Sequence, residues 1–344
     1  MSSPRPNALI FGLGGIGGIY AAILALSGKC DVHVVARSNY AAVKERGLRL
    51  VSGKFGNHDS IKFAGVFRDC AEAAASGKTF DYVLCANKAL LDAKPSLSDQ
   101  LSPLISAPTS IVLLQNGVGG EAPLHASFPQ NTIISAVVWT GGKVLPEQDG
   151  VAGVEQFNRE GLTIGVDYRS DEPSERAEED AKLERLVEVL KAGGGDCTVT
   201  KDIQSERWIK VIWNCCWNAL TTVTRGRTGP LFDSSPYALP LCHTVMDEVT
   251  AVARAKGLSI PEGTTEKLIK QCTDVAGLGL PSSMMVDCFA GRPMEVESIL
   301  GTPVREGDRL GVKVPTLLTL YTIVKALDYG NSHPDTQIDG QRIN

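Results

Sequence analysis

The residues best placed to do chemistry in this chain of 344 lie on one segment, Glu206-Arg207-Trp208-Ile209-Lys210-Val211-Ile212-Trp213-Asn214-Cys215-Cys216-Trp217-Asn218-Ala219-Leu220. On a helix, Lys210, Asn214 and Asn218 recur at every fourth position and span about 80° of the circumference. Arg207 and Thr221 extend the same stripe, and the rest of the circumference is Trp, Ile, Val, Cys and Leu. A helix that is apolar around most of its surface is buried or nearly so. Its polar stripe must then face an internal network or a wet cleft, because amides and an ammonium buried without partners would cost several kcal/mol. A cleft is the economical solution, since a polar substrate supplies the partners; the plain alternative is an amphipathic surface helix with a narrow polar face. In a cleft, partial desolvation lowers the lysine pKa from its ordinary value near 10.4 toward the range useful for a general acid. Such a lysine could protonate a carbonyl oxygen as hydride reaches the carbon. The five histidines are dispersed, and no Ser/His/Asp arrangement or metal-ligand cluster competes.

The second group is Gly12-Leu13-Gly14-Gly15-Ile16-Gly17, directly after the apolar run Ala8–Phe11. This is G-x-G-x-x-G between a strand and a helix. Gly12 permits the tight turn, Gly14 lets backbone approach a pyrophosphate, and Gly17 lets helix and strand pack closely. The helix N-terminus then offers free N–H groups and a positive dipole end to the phosphates. A glycine-rich turn without a ligand is the bland reading, and the strand and helix on either side favour dinucleotide binding. At the end of the second strand, where an NAD site would carry Asp or Glu, the chain has Ala36-Arg37-Ser38-Asn39. Arg37 can pair with a 2′-phosphate and Ser38 can donate to it, so NADP(H) is favoured over an ordinary surface arginine.

These groups need elements to hold them. Asp31–Val35, Asp81–Cys85, Ser110–Leu114, Ile133–Val138 and Leu162–Gly165 are further strand candidates, the last two joined through a turn from Pro146 to Gly150. Helical stretches at 15–27 and 40–46 make crossovers, which implies a mainly parallel sheet with helices on its faces. An acidic loop and surface-helix start over 170–182 follows. Beyond Thr200 the pattern is helical, over 205–223, 237–256, 262–276, 294–310 and 315–328, with prolines near the boundaries. The expected fold is an α/β Rossmann-type N-terminal domain, residues 1–200, followed by an all-α C-terminal domain, residues 201–344, like that of 6-phosphogluconate dehydrogenase; the polar tail from Asn331 reads as loosely ordered. A site in the cleft between them is the natural expectation.

Composition narrows the partners. Thirty-four Lys and Arg against 39 Asp and Glu leave a net charge of −5, which speaks against nucleic acid or an anionic membrane surface. No apolar run approaches the roughly 20 residues of a membrane span. Nine cysteines without a C-x-x-C pair give neither a disulfide framework nor a zinc site. A soluble protein of a reducing compartment, the cytoplasm, is expected, with no metal.

Together these segments resemble the ketopantoate reductase (2-dehydropantoate 2-reductase) family. The likeness includes Gly12–Gly17, Arg37, Asn87-Lys88-Ala89, Gln115-Asn116-Gly117-Val118-Gly119 and the helix motif from Arg207 to Thr221. It continues through Ser282-Ser283-Met284 with Asp287, Met294-Glu295-Val296 to Gly301, and Gly311–Pro315. The resemblance implies reduction of a 2-oxo acid by NADPH, giving the 2-hydroxy acid and NADP+, with ketopantoate to pantoate on the route to pantothenate as the leading case. It implies Lys210 as proton donor, Asn214, Asn218 and Ser283 on the substrate's carboxylate and hydroxyls, and Asn116 between nicotinamide and substrate. Glu295 would bind near the nicotinamide ribose and orient Lys210. The cofactor end would comprise Gly12, Leu13, Gly14, Gly15, Ile16, Gly17, Arg37, Ser38, Lys88, Asn116, Gly141 and Glu295. Taken alone, Ser283 reads as a helix-cap serine and Glu295 as a first-turn glutamate.

Three departures bear on the substrate: Thr228 stands where the family has a further asparagine, Trp139 is bulky, and the stretch 170–181 is long. Another branched 2-oxo acid, or the chemistry of a 3-hydroxy acid or 6-phosphogluconate-type dehydrogenase, is the near alternative. A non-catalytic NADP(H) sensor is the distant one, and the Lys210 stripe argues against it. The expected partner is a small-molecule 2-oxo acid, with neither nucleic acid nor a membrane, and a homodimer is open.

Overall fold

A computed structural model describes residues 5–336 apart from 275, 276, 278 and 280. By packing, the chain forms two units. The first comprises residues 1–88, 93–115 and 121–203; the second is residues 204–344 together with two short loops, 89–92 and 116–120.

The first unit is built on an eight-stranded sheet. Across the sheet its strands run Cys197–Val199, Leu162–Asp167, Ile133–Val138, Ser110–Leu113, Tyr82–Cys85, Asn7–Phe11, Asp31–Val35 and Gly65–Phe67. Every pairing is parallel except that of Ile133–Val138 with Leu162–Asp167. The central strands are buried along nearly their full length, as a parallel sheet covered on both faces requires. All six strands expected from the sequence are present.

A second, four-stranded sheet was not expected: His58–Ile61, Leu48–Ser52, Val151–Phe157 and Gly141–Gln148, in that order. The segment from Pro146 to Gly150 is therefore a turn only at its end. Pro146 lies inside the edge strand Gly141–Gln148, where a missing N–H is tolerated, and the reversal is made by Asp149 and Gly150, both at positive φ. Helix Gly15–Leu26 packs on this sheet, where a Cβ on Gly18 would collide with Val154.

The second unit is all helical among its described residues. Its centre is helix Ile203–Thr224, whose Trp208, Val211, Ile212, Cys215, Cys216 and Trp217 are buried against Val245, Met246 and Val249 of helix Ala238–Ala255 and Leu317 and Val324 of helix Pro315–Ser332. Trp217 meets Trp213 and Phe232 edge to face. Helix Thr264–Thr273 is shorter than the 262–276 expected, and the last two residues of that range lie outside the described ones. Short helix Thr228–Ser234 was not among the helices expected, whereas helix Ser283–Phe289 begins at the serine that reads as a helix cap, one residue later than the cap itself. The 294–310 segment holds a π turn over Glu297–Gly301 before helix Thr302–Leu310. Asn331 and Ser332 still belong to the last helix, contrary to a loose tail beginning there; residues 337–344 lie outside the described ones.

Candidate active site

The glycine loop separates its glycines by cause. Gly12 has φ +100°, and a Cβ there would press on the Asn87 backbone, so only glycine makes this turn. A Cβ on Gly17 would land on the Gly12 carbonyl oxygen, and one on Gly15 would crowd the Gly142 backbone. Both are packing glycines. Gly14 differs: it caps helix Gly15–Leu26, and a Cβ there meets nothing within 4 Å. Among the described residues no neighbour explains the absence of a side chain at Gly14; a phosphate brought close to the helix N-terminus would. The loop therefore fits a dinucleotide.

Arg37 and Ser38 are exposed just beyond strand Asp31–Val35, and Arg37 donates to Gln100 Oε1 at 3.3 Å. Leu13 is buried, Ile16 half-buried, and Lys88 exposed. Gly141 opens the edge strand, where a Cβ would strike the Phe157 carbonyl oxygen; that contact accounts for its glycine.

In the helical unit, Lys210, Asn116 and Glu295 come together. Lys210 Nζ donates to Asn116 Oδ1 at 3.0 Å, and Asn116 Nδ2 donates to Glu295 Oε2 at 3.3 Å. The other carboxylate oxygen, Oε1, accepts from the Ala89 N–H at 3.0 Å. The Asn116 amide thus has a fixed sense, oxygen to the ammonium and nitrogen to the carboxylate. Lys210 is half-buried. Desolvation of its ammonium, with the like charge of Arg207 adding to it, pulls the pKa down to about 8 against the opposing pull of Glu295. A lysine of that pKa is poised for proton transfer near neutral pH.

Glu295 itself is buried and precedes the helix that continues through the π turn, rather than sitting in a first helical turn; its carbonyl accepts from Ile299 N–H. Ala89 and Asn116, which both bond its carboxylate, are lent by the loops 89–92 and 116–120. The Ala89 N–H is a site group that sequence reasoning missed, because a backbone donor leaves no mark on residue type.

Asn214 and Asn218 are buried on the Lys210 helix, and Asn218 Nδ2 has no hydrogen-bond partner. A buried orphan donor costs about 1–3 kcal/mol, which a ligand acceptor would remove. Ser283 is exposed at the start of helix Ser283–Phe289. The cap is its neighbour Ser282, whose Oγ accepts from Met285 N–H and bonds Thr221 Oγ1 at 2.7 Å. That frees Ser283 from the capping role its type suggested. Thr228 is buried at the start of helix Thr228–Ser234. Cys215 and Cys216 are buried with raised thiol pKa values, through desolvation first. Among the described residues, no group of three His, Cys, Asp or Glu could hold a metal ion, and no helix is long and apolar enough to cross a membrane.

A mainly parallel sheet with a dinucleotide loop, joined in one chain to a helical unit that holds a lysine of lowered pKa, is the build of a nicotinamide-dependent oxidoreductase. The family model described as "Ketopantoate reductase PanE/ApbA" matches residues 8–166, and "Ketopantoate reductase PanE/ApbA C terminal" matches residues 202–328. A protein of Mesorhizobium japonicum named 2-dehydropantoate 2-reductase is 30% identical over 333 residues, 92% of this chain and 96% of its own. The crystal structure of 2-dehydropantoate 2-reductase from Methylococcus capsulatus is 30% identical with a TM-score of 0.80, covering 95% of this chain and 98% of that one. A ternary structure of D-mandelate dehydrogenase with NADH and anilino(oxo)acetate has a TM-score of 0.78 over 95% of this chain and 99% of that one; at 22% identity this is a likeness of fold alone. The chain belongs to the ketopantoate reductase family.

Proposed function

We propose that the protein reduces 2-dehydropantoate to pantoate with NADPH, Lys210 supplying the proton. The observation that carries this reading is the half-buried ammonium, its pKa pulled to about 8, held by an asparagine that a buried glutamate orients. When bound, the cofactor supplies hydride to the ketone carbon. Lys210 Nζ–H holds the ketone oxygen and passes it a proton as the C=O π pair moves onto that oxygen; the neutral amine then regains a proton from solvent. Asn116 keeps the ammonium aimed, and Glu295 keeps Asn116 from flipping. Asn218 Nδ2, with Asn214 and Ser283, offers donors to the substrate's carboxylate and hydroxyl. Gly14 and the N-terminus of helix Gly15–Leu26 would take the pyrophosphate, with Arg37 and Ser38 on the 2′-phosphate. Glu295 would also meet the nicotinamide ribose, and Leu13, Ile16, Lys88 and Gly141 would line the cofactor's path.

Thr228 in place of an asparagine favours a second reading, in which the same chemistry serves a different branched 2-oxo acid. NADPH oxidation measured against ketopantoate and a panel of 2-oxo acids decides this. Turnover of ketopantoate with the highest kcat/KM supports the first reading, a stronger substrate elsewhere in the panel the second. A chain that binds NADPH and turns over none of them would be a sensor.

A further inference from the structure

Arg207 lies one helical turn before Lys210 on the same face, and it is buried. Its guanidinium donates to the Gly117 carbonyl at 2.5 Å. Gly117 is at φ +83°, and its backbone lies so close to the π turn that a Cβ would sit 2.5 Å from Ser298. The next residue, Val118, donates its N–H to the Ser298 carbonyl at 2.9 Å. The loop 116–120 is therefore gripped from two sides, by Ser298 through the Val118 N–H and by Arg207 through the Gly117 carbonyl. The residue immediately before these two contacts is Asn116, the partner of Lys210.

Resting on the proposed role of Lys210, we propose that Arg207 is a positioning residue for the proton donor: it fixes the Asn116–Gly117 loop and, through the Asn116 amide, the place of Lys210 Nζ. A second effect comes with its charge. Arg207 stands on the same helix face as Lys210, and two cations on one face disfavour the protonated lysine. Glu295 acts on Lys210 in the opposite direction. The loop 116–120 brings no titratable side chain, and Asp92, the only one in 89–92, is engaged by Lys325 at 2.6 Å. A lysine cannot replace Arg207 fully, because its ammonium is a compact charge with rotatable donors at the end of a flexible stem, whereas the planar guanidinium presents its N–H to the Gly117 carbonyl in a fixed direction.

The test compares Arg207→Gln and Arg207→Lys with the parent in the pH profile of kcat for ketopantoate reduction by NADPH, with melting curves alongside. In Arg207→Gln the basic limb is expected to move up by about one pH unit as the like charge is lost, with kcat on the plateau about 10-fold down as the loop loosens. Arg207→Lys should keep the limb near its parent position while still losing several-fold in kcat. An Arg207→Gln enzyme with the parent's limb and plateau, altered only in melting temperature, overturns the proposal and leaves Arg207 a packing residue. Should Arg207→Gln not fold, Arg207→Lys decides alone: parent kcat there also overturns it. Lys210→Ala run in parallel separates the two ideas. If that variant keeps activity and its basic limb, the reading of the site itself has failed; if it loses both while Arg207 variants match the parent, only the present proposal has.

Discussion

At the scale of single residues, the proposed chemistry rests on one amine whose surroundings have changed its acidity. Replacing Lys210 by Ala should lower kcat by roughly 10²–10⁴-fold, the usual contribution of a positioned acid, with NADPH affinity by fluorescence titration little changed. Because the donor must be protonated to act, the parent's kcat should fall as pH rises through about 8, and that limb should vanish in the variant. Near-native kcat over the whole range would remove Lys210 from the reaction. At the cofactor end, Arg37→Ala should raise the KM for NADPH by about 10- to 100-fold, as loss of a charge-assisted pair implies, and leave NADH kinetics nearly as they were. Equal losses with both cofactors would mean that Arg37 does not read the 2′-phosphate. The site was partly legible from residue types. Lys210, Asn214 and Asn218 stand out because polar groups are conspicuous on an apolar helix, whereas the Ala89 N–H and the Ser282 cap depend on backbone placement that no side chain encodes.

Among elements, the glycine loop and the π turn each separate scaffold from site. Gly14→Ala should keep the parent's melting temperature, since its Cβ enters open space, yet weaken NADPH binding. Gly17→Ala should cost about 1–3 kcal/mol of stability through the clash with the Gly12 carbonyl. Melting curves with and without NADPH distinguish the two, and a destabilised Gly14→Ala protein would contradict the reading of that position. In the π turn, Glu297 is buried with Arg305 on one oxygen and with Tyr321 and Lys325, each at 3.0 Å, on the other. Burial alone would raise its pKa, but these partners win and hold it below the ordinary range. The ion cluster therefore adds stability at pH values above the unfolded carboxyl's pKa near 4.3 and gives it up as pH drops below that value. Glu297→Gln should melt lower than the parent at pH 7 and approach it near pH 3; parallel curves would show that the cluster is not a titrating one. The four-stranded sheet escaped the sequence for a physical reason. His58–Ile61 and Gly141–Gln148 are short or mostly exposed, and Leu48–Ser52 pairs with Val151–Phe157 across about a hundred residues. Alternation in one strand says nothing about a partner so remote.

For the molecule as a whole, all nine cysteines are free, and seven of them are buried. Desolvation pushes Cys30 up to about 11 and Cys70 to about 12, and half-buried Cys197 to about 12 as well. Since thiolates are the reactive form, a thiol reagent at pH 8 should modify no more than one site rapidly, with Cys288 the expected one, and should spare activity. Fast reaction of several thiols in the folded protein would mean that the cores open far more readily than their packing implies. The layout of the chain also limits how such reductases can recombine. A crossover at the Ile203/Gln204 boundary looks harmless on a linear map, yet it would pair the Lys210 and Glu295 of one parent with the Ala89 and Asn116 of another. On the proposed roles, hybrids made there inherit an acid and its aiming device from different ancestors, so a viable exchange of substrate preference has to carry residues 89–92 and 116–120 along with the C-terminal half.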